Sequence, residues 1–130
     1  MNKKVLVVDD DPDVRSFVVT VLEENGFLPL VAHDGVQGLE MIEKNAPDLV
    51  ILDVLMPRGS GIRLFRHLKT DPVLKNLPVI MFTGIALKSF LKSQKALDEF
   101  KGGEIPTPDI YLEKPVEPEE LVAAIQKKIG

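Results

Sequence analysis

Short apolar runs alternate along this chain with longer segments in which apolar residues recur every three or four positions. Five of these runs have the length and the β-branched composition of strands: 5–8, 27–32, 49–52, 79–82 and 110–112. A segment with helical periodicity follows each run, and the third run is apolar throughout, as in a strand that is buried on both faces. Five such units predict an α/β domain with a parallel sheet, right-handed crossovers and helices on both faces.

Local signals mark where the helices and loops begin. Asp11 followed by Pro12 is typical of a helix N-cap and first helical position, and Asn25-Gly26 is typical of a helix end. Pro29 cannot donate a hydrogen bond within a sheet, so it places the second strand at an edge. We expect a fourth helix over 86–101, and a loop inside the domain over 102–109.

Composition limits the classes of function. The chain has 130 residues, which predicts one domain, and it has no cysteine for disulfides or thiolate metal sites. Its net charge of −4 argues against nucleic acid as a direct ligand. No stretch is long enough for a membrane span, and the N-terminal apolar run is too short for a signal peptide. We therefore expect a cytoplasmic protein.

Polar residues follow the predicted strands at the edge where α/β sheets bind ligands. Asp9 and Asp10 follow the first strand, Asp53 the third, Thr83 the fourth and Lys114 the fifth. Two carboxylates about 5 Å apart repel by roughly 3 kcal/mol at an effective dielectric constant of ~20, so this cluster needs a cation or raised pKa values. An all-oxygen cluster without His or Cys favours Mg²⁺ or Mn²⁺.

Four motifs together carry a family resemblance. The stretches VVDDD at 7–11, LDVLMP at 52–57, MFTG at 81–84 and YLEKP at 111–115 resemble the receiver domain of bacterial two-component response regulators. They occur in the family's order over essentially the whole chain. The resemblance implies a single receiver domain over 1–130, with a doubly wound, flavodoxin-like sheet in the strand order 2-1-3-4-5.

The resemblance also implies a phosphorylation site. Asp53 would be the phosphoacceptor, taking phosphate from a sensor histidine kinase or a phosphotransfer protein. Mg²⁺, with Mn²⁺ as the alternative, would be held by Asp10, Asp53 and the backbone carbonyl of Leu55, and by Asp9 directly or through water. The protein would be no enzyme with a separate substrate, but a phosphoacceptor that assists its own phosphorylation and dephosphorylation.

Three further residues have implied roles. Lys114 would pair with Asp53 at rest and with a phosphoryl oxygen afterwards, and Lys114–Pro115 would be a cis peptide. Thr83 would hydrogen-bond the phosphoryl group. Tyr111 would swing inward behind it, although a partly buried core tyrosine is the alternative reading.

The resemblance further implies that the output surface is the face formed by the fourth helix, the fifth strand and the fifth helix. It would shift between two states and bind an unidentified downstream protein, with homodimerisation left open and with no contact to nucleic acid or membrane. The interval from Thr83 to Lys114 is roughly two helical turns longer than is typical of the family. We therefore expect an extended segment around 86–109 and an output face that differs from that of other receivers.

Residues near the predicted site give two lesser expectations. The stretch RGSG at 58–61 lacks the third glycine of a phosphate loop and is expected to be a flexible loop. Leu55 and Ile85 lie two residues beyond Asp53 and Thr83. Neither side chain can hydrogen-bond an attacking water, which predicts slow self-dephosphorylation.

Two other functions stay open. One is a phosphorylation-independent interaction module on the same fold. The other is a phosphatase of the haloacid dehalogenase type, in which Asp9 of an Asp9-x-Asp11 pair would be the nucleophile. Against the phosphatase, Pro12-Asp13 stands where that family usually has Gly-Thr.

Overall fold

The computed structural model describes residues 2–101 and 107–130, without side-chain detail for 96–101. Strands and helices alternate from one end to the other, and a short 3₁₀ helix precedes the third α-helix. The elements are β1 (Lys4–Val8), α1 (Pro12–Glu24), β2 (Leu28–Ala32), α2 (Gly35–Asn45), β3 (Leu49–Leu52), the 3₁₀ helix (Pro57–Gly59), α3 (Ser60–Thr70), β4 (Val79–Thr83), α4 (Leu87–Lys101), β5 (Ile110–Glu113) and α5 (Pro118–Ile129).

All neighbouring strands pair in parallel, in the order β2-β1-β3-β4-β5. The predicted α/β architecture and strand order are therefore confirmed. β2 is an edge strand, as Pro29 indicated. Val8 pairs with Leu52, and Thr83 with Glu113, so the residues that follow these strands line up at one edge of the sheet.

The sheet divides the apolar core into two halves. In one half, α1 and α5 pack against the sheet, and the buried residues include Leu22, Leu121 and Ile125. The other half packs α2, α3 and α4 against the opposite face, with Phe65 and Phe90 at its centre. Each fully buried side chain of this size contributes about 1.5–3 kcal/mol. The packing fixes the sheet rigidly beneath its carboxyl edge.

The helix ends match the local sequence signals. Asp11 caps α1 by accepting a hydrogen bond from the backbone N–H of Asp13 at 2.8 Å, and Asp34 caps α2 in the same way from Gln37 at 2.8 Å. Gly26 follows α1 with a φ of +80°, a conformation that glycine adopts without strain. These caps fix the directions in which α1 and α2 leave the sheet.

The prediction of a flexible loop over 58–61 was wrong. Pro57 opens a 3₁₀ turn, and α3 already begins at Ser60. Arg58 and Gly59 both have positive φ, at 60° and 66°, which turns the chain sharply enough to start the helix early. At Gly61 a Cβ would lie 2.2 Å from the backbone oxygen of Asp53, so glycine is needed for α3 to pack this close to the site.

The fourth helix occupies the predicted range. α4 runs from Leu87 to Lys101, and residues 102–106 lie outside the described part of the chain. The expected extension of 86–109 therefore stays a prediction. Among the described residues, no helix combines the length and the apolar character that crossing a membrane requires.

Candidate functional site

Three aspartates meet at the carboxyl edge of the sheet. Asp9 and Asp10 follow β1, Asp53 follows the neighbouring β3, and each offers a carboxylate oxygen within 4.8 Å of the others. Asp9 is 1% exposed and Asp53 5% exposed, whereas Asp10 faces solvent. The structure thus brings together the three carboxylates that the sequence placed after the first and third strands.

Backbone groups orient the two buried carboxylates. Oδ1 of Asp9 accepts a hydrogen bond from the backbone N–H of Asp11 at 2.9 Å. Oδ1 of Asp53 accepts one from the backbone N–H of Leu55, also at 2.9 Å. The first turn of chain after each strand therefore holds one oxygen of each carboxylate, and the second oxygen of each accepts from a shared partner.

That shared partner is Lys114. Its Nζ donates to Oδ2 of Asp9 at 2.8 Å and to Oδ2 of Asp53 at 3.2 Å. The Lys114 backbone N–H donates to the carbonyl of Thr83 at 2.8 Å, which ties the end of β5 to the end of β4. The Lys114–Pro115 peptide is cis.

One ammonium group does not balance three carboxylates. If all four groups are charged, the cluster of Asp9, Asp10, Asp53 and Lys114 carries −3 + 1 = −2. Burial raises the pKa of Asp9 even though the hydrogen bond from Lys114 acts to lower it. Burial alone would lower the pKa of Lys114, but the hydrogen bond to Asp9 and the charge of Asp53 raise it. The site therefore holds excess negative charge in a partly buried place.

The donor set fits a hard divalent cation. It consists of carboxylate oxygens that converge within 4.8 Å, without sulfur or imidazole ligands. Mg²⁺ typically takes one or two carboxylates and keeps waters or phosphate oxygens at its remaining positions. Asp10 is exposed beside the buried Asp9 and Asp53, so the cluster is open to solvent on one side. Leu55, whose carbonyl is a predicted ligand, is tied to Asp53 by its backbone N–H and is 54% exposed.

Thr83 and Tyr111 lie beside the cluster. Thr83 is fully buried, and among the described residues its Oγ1 has no hydrogen-bond partner. Tyr111 is half-buried, donates its hydroxyl hydrogen to the carbonyl of Ile85 at 2.6 Å and packs on Phe90. Burial, with the negative charges of Glu113 and Asp53, raises the pKa of Tyr111 to about 12. A buried hydroxyl without a partner costs free energy, so Thr83 is poised to bind a further acceptor.

Sequence reasoning missed two residues at this edge. The Lys114 Nζ lies over the ring of Phe82, 5.5 Å from its centroid. Arg15 donates to the backbone oxygen of Asp9 at 2.8 Å. An apolar residue in a buried strand and an arginine on a helix carry no signal that separates these contacts from ordinary packing. His33 and His67 are exposed, away from this cluster, and pair with Asp34 and Asp71.

The chain is similar to known proteins in both sequence and structure. A sequence model described as the response regulator receiver domain matches residues 5–126. Over 126 residues the chain is 36% identical to the phosphate regulon transcriptional regulatory protein PhoB of Escherichia coli (strain K12), covering 97% of this chain and 51% of PhoB. The chain therefore spans about half the length of the curated relatives it matches.

Solved structures agree over nearly the full length. A response regulator from Chloroflexus aurantiacus is 32% identical with a TM-score of 0.81, and the match covers 99% of this chain and 98% of that one. The chemotaxis response regulator CheY4 of Vibrio cholerae is 28% identical with a TM-score of 0.80, covering 98% of both chains.

Proposed function

The chain belongs to the response regulator receiver domain family, and on this premise we propose that it is a phosphoacceptor switch of a two-component system. Asp53 would receive a phosphoryl group from a sensor histidine kinase or a phosphotransfer protein. The observation that carries the proposal is the buried Asp53 carboxylate, which shares the Lys114 ammonium with Asp9 and lies within ligand distance of Asp10.

The chemistry is a nucleophilic displacement at phosphorus. A carboxylate oxygen of Asp53 forms the new P–O bond while the P–N bond of a phosphohistidine breaks and its electron pair stays on the imidazole nitrogen. Lys114 already points at Asp53, so it can transfer its hydrogen bond to a phosphoryl oxygen as charge develops there. Asp10, Asp53, the carbonyl of Leu55 and Asp9, directly or through water, would hold Mg²⁺ or Mn²⁺. When bound, this ion neutralises charge on the transferred oxygens.

Switching would follow from the unpaired hydroxyl of Thr83. A phosphoryl oxygen on Asp53 gives this buried group its missing acceptor, and a hydrogen bond to a charged group contributes about 1.5–3 kcal/mol. That is enough to shift a two-state equilibrium by about 10- to 150-fold. Movement of Thr83 would release Tyr111 from the carbonyl of Ile85 and shift the face formed by α4, β5 and α5.

The phosphoryl group would be long-lived. The Cδ1 of Leu55 lies 4.0 Å from where a Cβ on Gly84 would stand, so this apolar side chain spans the gap between the loops after β3 and β4. Ile85 packs against the same half of the core as α4. Neither residue can orient a hydrolytic water. Spontaneous loss of phosphate on the minutes scale or faster would contradict this part of the proposal.

Direct phosphorylation tests the function. The protein is incubated with acetyl phosphate and Mg²⁺, and intact-mass spectrometry is used to look for the addition of one phosphoryl group. Asp53→Asn should abolish the addition, whereas Asp9→Asn should only slow it. The reverse result would favour the phosphatase alternative, and no addition to the unaltered protein would favour a phosphorylation-independent module.

The output would be a protein contact in the cytoplasm. The name of PhoB describes a transcriptional regulator. For this domain we propose a downstream protein target and, because its net charge is −4, no direct nucleic-acid contact. The proposed extension of 86–109 would give its output face a shape unlike that of other receivers. Homodimerisation through this face is the alternative arrangement.

A further inference from the structure

Phe82 lies directly against the lysine of the site. The ring is 4% exposed, and the Lys114 Nζ lies 5.5 Å from its centroid while donating to Asp9 and Asp53. β4 and β5 pair Phe82 with Leu112, two residues before Lys114, and Phe82 and Leu112 both pack into the α1–α5 half of the core. The lysine stem therefore leaves β5 on the side of the sheet that the Phe82 ring occupies.

Space for an alternative lysine position lies beside this ring. A groove of about 230 Å³ is bordered by Phe82 and Lys114. Its walls are mainly apolar, from Val14, Phe17, Pro115 and Val116, and they include the carboxylate of Asp13, which could attract the ammonium group away from the site. Lysine has a flexible four-carbon stem, so an adjoining surface can restrict the positions that its ammonium group takes while it changes hydrogen-bond partners. The face of an aromatic ring attracts a cation electrostatically, whereas an aliphatic side chain of similar volume does not.

We propose that Phe82 is a positioning residue, whose ring face holds the Lys114 ammonium at the mouth of the carboxylate cluster and keeps it out of the neighbouring groove. The inference rests on the proposed function, because its consequence is the rate of phosphoryl transfer to Asp53. When the phosphoryl group arrives, Lys114 must turn from Asp53 to a phosphoryl oxygen. The ring restricts the ammonium to the short path between these two partners.

Graded fluorination of the ring at position 82 tests the proposal. One, two and then three fluorine atoms on a phenylalanine incorporated at this position progressively weaken the attraction of the ring for a cation, with little change in its shape. Phosphorylation by acetyl phosphate in Mg²⁺ is followed by intact mass. We expect the rate to fall in steps, to about one fifth of the original for the trifluorinated ring. In the Phe82→Leu variant the rate should fall at least as far.

Phe27 provides the matched control. It packs against the same half of the core but precedes β2, at the end of the sheet away from the site. Fluorination there should leave the rate unchanged. A flat series at position 82, or an equal fall at positions 27 and 82, would overturn the proposal. If the unaltered protein gains no phosphoryl group at all, the proposed function fails instead.

A second measurement needs neither phosphate nor metal. The ring should shift the NMR signals of the Lys114 ε-methylene protons upfield, and Phe82→Leu should return them towards ordinary lysine values. If these signals already have ordinary values in the unaltered protein, Nζ is not held over the ring in solution and the positioning role is refuted, whatever the phosphorylation assay shows.

Discussion

A lysine meets an aspartate at both edges of the sheet, with different electrostatic results. At the amino edge Lys69 lies 2.7 Å from Oδ2 of Asp109, which also accepts a hydrogen bond from the backbone N–H of Val79 at 2.8 Å. At the carboxyl edge Lys114 is shared between Asp9 and Asp53. At the amino edge the Lys69 ammonium group contacts one carboxylate, whereas at the carboxyl edge three carboxylates converge beside one ammonium group.

The pKa values of Asp109 at the amino edge and of Asp9 at the carboxyl edge are shifted in opposite directions. Burial acts to raise the pKa of Asp109, but the hydrogen bonds from Lys69 and from the Val79 backbone lower it overall. For Asp9, burial outweighs the hydrogen bond from Lys114, and the pKa is raised. The Lys69–Asp109 pair therefore has a structural role: it joins α3 to β4 and to the start of β5. The carboxyl edge holds an excess of negative charge, which a divalent cation would neutralise.

Substituting Lys114 and Lys69 in turn should give the largest difference between the two edges. Lys114→Met should lower the rate of phosphorylation by acetyl phosphate about 100-fold, because it removes the group that neutralises the transferred oxygens. Lys69→Met should leave that rate within about twofold and lower the free energy of unfolding by about 1 kcal/mol. Rate measurements and urea titrations of both variants check this. Equal losses of rate would show that the lysines do not differ in role.

The same substitution at the two edges should have opposite effects on stability. Without divalent cations, Asp53→Asn should raise the free energy of unfolding by about 1 kcal/mol, because it removes one repelling charge and leaves the Asp9–Lys114 pair intact. Asp109→Asn should lower it by about 1 kcal/mol, because Lys69 loses its charged partner. Urea titrations in a chelator give both values. Destabilisation by Asp53→Asn would mean that the carboxyl edge is balanced after all.

The pH dependence of stability should show the smallest difference. The pKa of Asp109 is lower in the folded than in the unfolded chain, so its contribution is complete above the ordinary aspartate pKa of about 3.9. This contribution is lost as the pH falls below that value towards the lower pKa of Asp109 in the folded protein. Asp109→Asn should therefore flatten the acid limb of the stability curve by less than about 1 kcal/mol. If Asp109→Asn leaves the acid limb unchanged, the Lys69–Asp109 pair has no structural role.

The two edges also differ in how far the sequence predicts them. The carboxyl edge follows from a simple rule, since Asp9, Asp53 and Thr83 each come directly after an apolar run and parallel strands end at one edge. The pairing of Lys69 with Asp109 joins residues 40 positions apart that belong to no motif. Only the packing of α3 beside β4 brings them together.

Two further features depend on three-dimensional packing. Phe82 lies in an apolar strand, so its contact with Lys114 has the same sequence signal as any buried core residue. The loop expected over 58–61 became a 3₁₀ turn and the start of α3 because Arg58 adopts a positive φ that its residue type does not predict. Side-chain placement and backbone exceptions of this kind come from tertiary contacts.

A titration of the metal-free protein with Mg²⁺, followed by two-dimensional amide NMR, tests the charge imbalance most directly. We predict saturable shifts in the signals of residues 9–11, 53–55 and 114, and no such shifts in the Asp10→Asn variant. The amino edge is the internal control, since the signals of Lys69, Val79 and Asp109 should not move. A spectrum that Mg²⁺ leaves unchanged, or that changes equally at both edges, would contradict the account.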